Sequence, residues 1–274
     1  MPENDRGNLT ERQKREVEYH QDRARDHEIR LNNPFSWDVI NHPSRRWWNA
    51  YWRMYGYLTK LNVRGKKVLI VGCGFGDDAL RVAKLGAEVY AIDISPESLL
   101  IARKMSVREG LDIVFEEMPA ETLKYESDYF DCVIARDILH HVDITLAIGE
   151  IRRVSKAGAI LLINEIYSHS FTDRIRYSRP VEQWLYPAMQ RFIYGPGKPY
   201  ITEDERKLTE KDLFEIKKLV KVCDLDEYFN LFVTRVVPDK FEILSKIDRL
   251  LLVCLKPFGR FLAGRVLFAG RISK

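Results

Sequence analysis

Residues 68–76 read Val68-Leu69-Ile70-Val71-Gly72-Cys73-Gly74-Phe75-Gly76, a run of branched aliphatic residues entering a G-x-G-x-G turn. Branched aliphatics favour a buried strand, and glycines let the backbone turn tightly and approach a ligand. A second apolar strand, Val89-Tyr90-Ala91-Ile92, ends on Asp93, seventeen residues past Gly76. A carboxylate at that tip is placed to accept hydrogen bonds from ribose hydroxyls, so the pair describes a nucleoside site. A glycine turn by itself also allows the lesser reading of a structural strand-to-helix connection. Where a dinucleotide fingerprint needs its third glycine, this chain has Asp77. That glycine normally permits close helix–strand packing under a pyrophosphate. The loop therefore suits an adenosyl ligand better than NAD.

The next hundred residues extend the pattern. Ser95-Pro96-Glu97 starts a helix, with Ser at the cap and Pro in the first turn, and Leu99, Leu100, Ala102 and Met105 follow. Met118-Pro119-Ala120-Glu121-Thr122-Leu123 forms an acidic turn. A strand, Cys132-Val133-Ile134-Ala135, runs into Arg136-Asp137-Ile138-Leu139-His140-His141-Val142. A helix ending around 153–156 and a turn at Gly158 precede the strand Ile160–Ile163. Strands near 67–71, 88–92, 131–135 and 159–165, separated by helical patterns, predict an α/β fold with a doubly wound parallel sheet.

Taken in order, VLIVGCGFG, VYAIDIS, PAETL, FDCVIARDILHHV and AGAILLI resemble the class I S-adenosylmethionine-dependent methyltransferases over roughly residues 64–166. The likeness is to the branch similar to ubiquinone and menaquinone methylases. It implies a Rossmann-like, mostly parallel seven-stranded sheet, an antiparallel edge strand near 266–272, and S-adenosylmethionine as cofactor. It also implies roles. Gly72 and Gly74 admit the methionine part, Asp93 takes the ribose, and Ile94 packs on adenine. Ala120 and Glu121 contact the adenine edge, and Arg136 lies beside the carboxylate end. Pro119 stands where the family often carries an acid that binds the adenine amine, which shifts that contact to Glu121 or to backbone groups.

Catalytic candidates follow from position. His140 and His141 come after the fourth strand, at the mouth where acceptor and methyl group meet, and a histidine titrates near neutrality. Packing or capping is an equal reading for each. His141 is favoured because the family tends to place a histidine there. Glu165, ending the next strand, would orient it or bind substrate. His20, with Tyr19, belongs to an N-terminal helix of the kind that closes over the cofactor in related enzymes. No metal-ligand cluster is expected.

Bulk properties bound the rest. A chain of 274 residues with 46% apolar residues and five tryptophans supports one large domain or two small ones. The four cysteines are scattered and read as reduced thiols. The first thirty residues are densely charged, with no secretory h-region, and the longest apolar run, Leu250–Leu255, is too short to span a bilayer. The expectation is a cytoplasmic protein, either free or peripheral at the inner membrane surface. Residues 246–274 carry seven cations against the single acid Asp248, an excess of six where the whole chain has +4. Those cations alternate with Leu, Phe and Val and lack an RNA-binding signature, so nucleic acid is a poor partner.

The chain divides into an N-terminal helical cap, 1–60, and a methyltransferase domain, 61–274. The cap's aromatic cluster (Phe35, Trp37, Trp47, Trp48, Tyr51, Trp52, Tyr55, Tyr57) packs by helical spacing. Before it, Val17, Tyr19, His20 and Ala24 alone among 10–30 could face a core. A Tyr-, Trp- and Pro-rich insertion after the fifth strand, 167–208, is placed to bind an acceptor. Thr209 caps a helix whose apolar face is Leu213, Phe214, Ile216, Leu219 and Val220, and a strand is expected over 228–236. The segment 238–260 reads as an amphipathic helix with Ile243, Leu244, Ile247, Leu250, Leu251 and Cys254 on one face. Residues 240–274 could meet an anionic membrane surface, or the helix could cover the sheet. The acceptor is then a small apolar or lipid-like molecule. The alternatives are a soluble sugar or secondary metabolite, or a catalytically silent binding module.

Overall fold

The computed structural model describes residues 9–18, 28–185, 187, 206–230 and 241–274. Helix α1 covers 11–18, and α2 (Ala50–Leu58) precedes the sheet. Then follow β1 (Lys67–Val71), α3 (Asp77–Lys84), β2 (Glu88–Asp93), α4 (Pro96–Arg108), β3 (Ile113–Glu117) and β4 (Phe130–Arg136). The second half comprises α5 (Ile144–Val154), β5 (Ser155–Ile166), α6 (Ser170–Arg176), α7 (Glu210–Lys218), β6 (Val220–Phe229), α8 (Glu242–Cys254) and β7 (Arg265–Ile272).

The seven strands lie in the order β3-β2-β1-β4-β5-β7-β6. The first five are parallel, and β7 runs antiparallel to both β5 and β6. The order reverses between β1 and β4, and that switch point opens a crevice beyond the strand C-termini. Alternation along the central strands buries both faces. Leu69, Val71, Val133, Leu161 and Ile163 pack with Ile148 and Ile151 of α5 on one side. Val68, Ile70, Ile134 and Leu162 pack with Met54, Tyr55 and Leu58 of α2 on the other. Each such side chain contributes about 1.5–3 kcal/mol on burial.

Helix starts follow the local chemistry. Asn49 accepts from the Tyr51 and Trp52 N–H groups at the head of α2. The Ser95 hydroxyl accepts from Ser98 N–H at 3.1 Å, as its position before Pro96 predicts. Thr209 and Asp212 form the reciprocal capping box of α7. Cys73 and Cys132 are buried and all four cysteines are free thiols.

Several expectations are corrected. The strand before α8 is Val220–Phe229 rather than 228–236, and residues 231–240 lie outside the described set. Half of β6 is exposed at the sheet's edge, so its apolar periodicity is weak. The last strand is interior rather than an edge, because β6 pairs along its outer side. β3 carries no strand expectation in the sequence and forms between β2 and solvent. On α7, Leu213 and Ile216 are buried while Phe214 is exposed. In the cap, Tyr55 and Trp48 are buried but Trp47 is 46% exposed.

Helix α8 turns its apolar stripe outward. Ser245, Asp248 and Leu252 are its buried residues, whereas Ile243, Ile247, Leu250, Leu251 and Val253 are exposed. Beside them the half-buried Arg249 reaches across to Glu227 at 3.0 Å. Among the described residues no helix is long and apolar enough to cross a membrane.

Candidate active site

The glycine turn forms where β1 leaves the sheet, with φ of +66°, +51° and +85° at Gly72, Gly74 and Gly76. A Cβ at Gly72 would meet the Ile138 side chain at 2.5 Å, so this glycine is sterically required. At Gly74 a Cβ would meet nothing within 4 Å, so the loop faces open space there. Asp93, at the tip of β2, accepts from Gly74 N–H (2.7 Å) and Ser95 N–H (2.9 Å). Its carboxylate thus sets the loop's shape while lining the cleft.

The Met118 N–H donates to the Asp93 carbonyl at 3.1 Å, and this bond brings Met118–Glu121 alongside Ile94. Glu121 accepts from Asp143 N–H (3.1 Å) and from the Gln13 side-chain amide (3.3 Å). Together with Gly72, Gly74 and Asp93, the residues Ile94, Ala120, Glu121 and Arg136 all border one cleft of about 500 Å³. Open backbone at the glycine loop, a strand-tip carboxylate and an apolar slot beside Ile94 fit an adenosyl group carrying a methionine chain.

Arg136 is more committed than the sequence implies. Its guanidinium pairs with Asp78 at 2.6 Å and Asp137 at 2.8 Å, above the Tyr51 ring. Burial works against that charge, but Asp78 and Asp137 outweigh it and hold the Arg136 pKa well above its ordinary value. Burial, reinforced by Asp78, also pushes the Tyr51 and Tyr55 hydroxyls upward. Burial would raise Asp137, yet Arg265 and Arg136 win and its pKa is lowered. Asp137 therefore bridges two arginines, with Arg265 at 2.7 Å.

At the far end, the turn Leu139–His141 carries both histidines. Glu165, fully buried at the end of β5, accepts from the Ile138, Leu139 and Ile166 N–H groups and meets His140 Nδ1 at 2.6 Å. It contacts His140 rather than His141, and its side chain has no exposed surface. His141 Nδ1 instead meets Glu16 Oε1 at 3.2 Å. The two imidazoles lie 3.9 Å apart at 43°. His20 and Tyr19 lie outside the described residues.

The cleft also includes residues that sequence reasoning missed: Gln13, Glu16, Arg30, Ile166 and Arg265. Glu16 is 6% exposed, so α1 buries a carboxylate where only Val17, Tyr19, His20 and Ala24 were expected to face inward. Arg30 pairs with Asp77 at 2.9 Å beside the Phe75 ring. Arg265 and Ile166 become neighbours through the β5–β7 register, a signal that appears only once β7 is known to lie against β5.

Residues 69–163 match the family model described as a methyltransferase domain. Over that span the chain is similar to methyltransferase domains, and its fold is like that of a methyltransferase solved with S-adenosylmethionine bound. A ubiquinone biosynthesis O-methyltransferase of Xanthomonas euvesicatoria is 32% identical over 136 residues, 45% of this chain and 57% of that protein. One of the same name from Dinoroseobacter shibae is 30% identical over 166 residues, 60% of this chain and 61% of that protein. The chain thus spans about 57–61% of the length of these curated relatives. Magnesium protoporphyrin IX methyltransferase from Synechocystis, solved with bound SAM, aligns with a TM-score of 0.54 and 14% identity. That alignment covers 97% of this chain and 99% of the other and is a likeness of fold.

Proposed function

We propose that this protein transfers the methyl group of S-adenosylmethionine to a hydroxyl of a small, apolar or lipid-linked acceptor. The observation that carries this reading is the pair of imidazoles, each tethered to a carboxylate, at the acceptor end of the cleft. Bound beside Gly72, Gly74 and Asp93, the cofactor supplies an electrophilic methyl group on a sulfonium. The chain's own work is to bind, to orient and to move one proton. Asp93 is assigned to the ribose, Ile94 and Ala120 to the adenine faces, and Glu121 to its edge. Arg136, balanced by Asp78 and Asp137, is assigned to the methionine end. His141 accepts the hydroxyl proton as the oxygen is alkylated, and His140, locked by Glu165, supports it. Holding the nucleophile near the methyl carbon and keeping water out supply much of the remaining acceleration.

Two features support an apolar acceptor met at a membrane surface. The insertion after β5 presents Phe171, Ile175, Tyr177 and Trp184 to solvent in its described part. Helix α8 presents Ile243, Ile247, Leu250 and Val253 outward, with Lys256 and Arg260 exposed beyond its end. Apolar side chains flanked by cations suit an interface with anionic head groups. The relatives named for ubiquinone biosynthesis point the same way.

Calorimetric titration with S-adenosylhomocysteine, repeated with anionic liposomes and followed by co-sedimentation, tests the reading. Micromolar binding with sedimentation is expected, and labelled methyl transfer to a membrane-embedded catechol should exceed transfer to a sugar. Binding without sedimentation favours the soluble-acceptor alternative. No binding at all leaves a silent module.

A further inference from the structure

The geometry points to Glu16 as the positioning residue that fixes His141 as a proton acceptor, so that the first helix completes the catalytic end of the cleft. This rests on the methyltransferase reading above. Three residues on one side of α1 touch the cleft's rim at spacings of one and three residues. Arg12 donates to the His140 carbonyl at 3.2 Å, Gln13 to Glu121 at 3.3 Å, and Glu16 meets His141 at 3.2 Å. The seating that brings Gln13 to the adenine-edge residue therefore also brings Glu16 to the histidine. Glu16 is 94% buried, so the contact is shielded from solvent (6% exposed).

The chemistry follows from what each group can donate. An ionised carboxylate only accepts, so His141 Nδ1 must carry the hydrogen, and the neutral ring then has its lone pair on Nε2. As the acceptor oxygen bonds the methyl carbon, the C–S electron pair stays on sulfur and the hydroxyl proton passes to Nε2. The resulting imidazolium faces the Glu16 carboxylate, which offsets its charge. Glu165 meets His140 Nδ1 in the same way at 2.6 Å, but it belongs to the sheet. The two histidines thus differ in what holds them: one a strand, the other a helix that must dock.

The test reads the tautomer directly. Protein labelled with ¹⁵N-histidine is observed by long-range ¹H–¹⁵N correlation, alone and saturated with S-adenosylhomocysteine, and His141 is assigned by the loss of its signals in H141Q. The expected wild-type pattern has hydrogen on Nδ1 and a bare Nε2. In E16Q the ring should move toward the Nε2–H form, while His140 stays unchanged and serves as the control. E16D, which shortens the side chain but keeps the charge, should give an intermediate pattern. A wild-type His141 protonated on Nε2, or a pattern identical in E16Q, overturns the assignment. Failure of the wild type to bind S-adenosylhomocysteine would instead break the functional reading, because the tautomer of the protein alone still decides the Glu16 contact.

Discussion

The two ends of the cleft are built by different means. The cofactor end is made of backbone and near neighbours: the loop after β1, the tip of β2 and the turn beyond β3, tied by Gly74–Asp93 and Met118–Asp93 bonds. The proposed acceptor end is made of side chains brought together from afar, with Glu16 and His141 separated by 125 positions. A ligand common to a whole class is held by geometry that any sequence with the right turns reproduces. A ligand peculiar to one protein is held by contacts that only this sequence brings together.

Substitutions at the two ends should fail differently. The largest effect is expected for Asp93→Ala, which removes the ribose acceptor and the anchor of the Gly74 and Ser95 N–H groups. Two lost charge-assisted hydrogen bonds amount to about 4 kcal/mol, roughly a thousandfold in affinity. Calorimetry with S-adenosylhomocysteine measures it, and unchanged affinity would remove Asp93 from the site. His141→Ala should lower kcat by about a hundredfold, at the low end for a general base, with cofactor affinity nearly intact. Wild-type turnover would show that the histidines only pack.

Smaller effects sharpen the seam between the ends. Asp137 pairs with Arg136 on one side and Arg265 on the other. Its folded pKa lies below the ordinary 3.8, so the stability it contributes is complete above that value and lost as pH falls below it. Thermal unfolding followed from about pH 5 down to about pH 2 should therefore drop more steeply in the wild type than in Asp137→Asn. Equal slopes would mean the pairing does not couple to folding. The smallest change in stability, within about 0.5 kcal/mol, is expected for Ile247→Glu with Leu250→Glu, because both side chains are already exposed. The same pair should abolish sedimentation with anionic liposomes, and retention would remove α8 from the membrane contact.

This contrast also explains what the sequence disclosed. Residues 68–76 and 89–95 announce strand, turn and carboxylate within a short window, since each is a local backbone requirement. His140, His141 and Glu165 are visible as strand-end residues, but their partners are not. Nothing local at Glu16 distinguishes it from the other charges of residues 10–30, because its burial depends on where α1 docks. β6 was misplaced because Lys221, Asp224 and Asp226 interrupt its pattern on an exposed edge, while the run after Phe229 is richer in β-branched residues.

The position of β7 carries a consequence for how the chain assembles. It is the last strand in sequence yet pairs with β5 on one side and β6 on the other, over seven and eight residue positions. Until β7 arrives, β5 presents a bare hydrogen-bonding edge and β6 has no route into the sheet. The parallel half, β1 to β5, can therefore gather early around nearby contacts, whereas the other half must wait for one long-range closure. During that interval an open apolar edge is a template for unwanted pairing with another chain. Refolding at increasing protein concentration should lose yield at this step, and a β7 peptide supplied in trans should restore it.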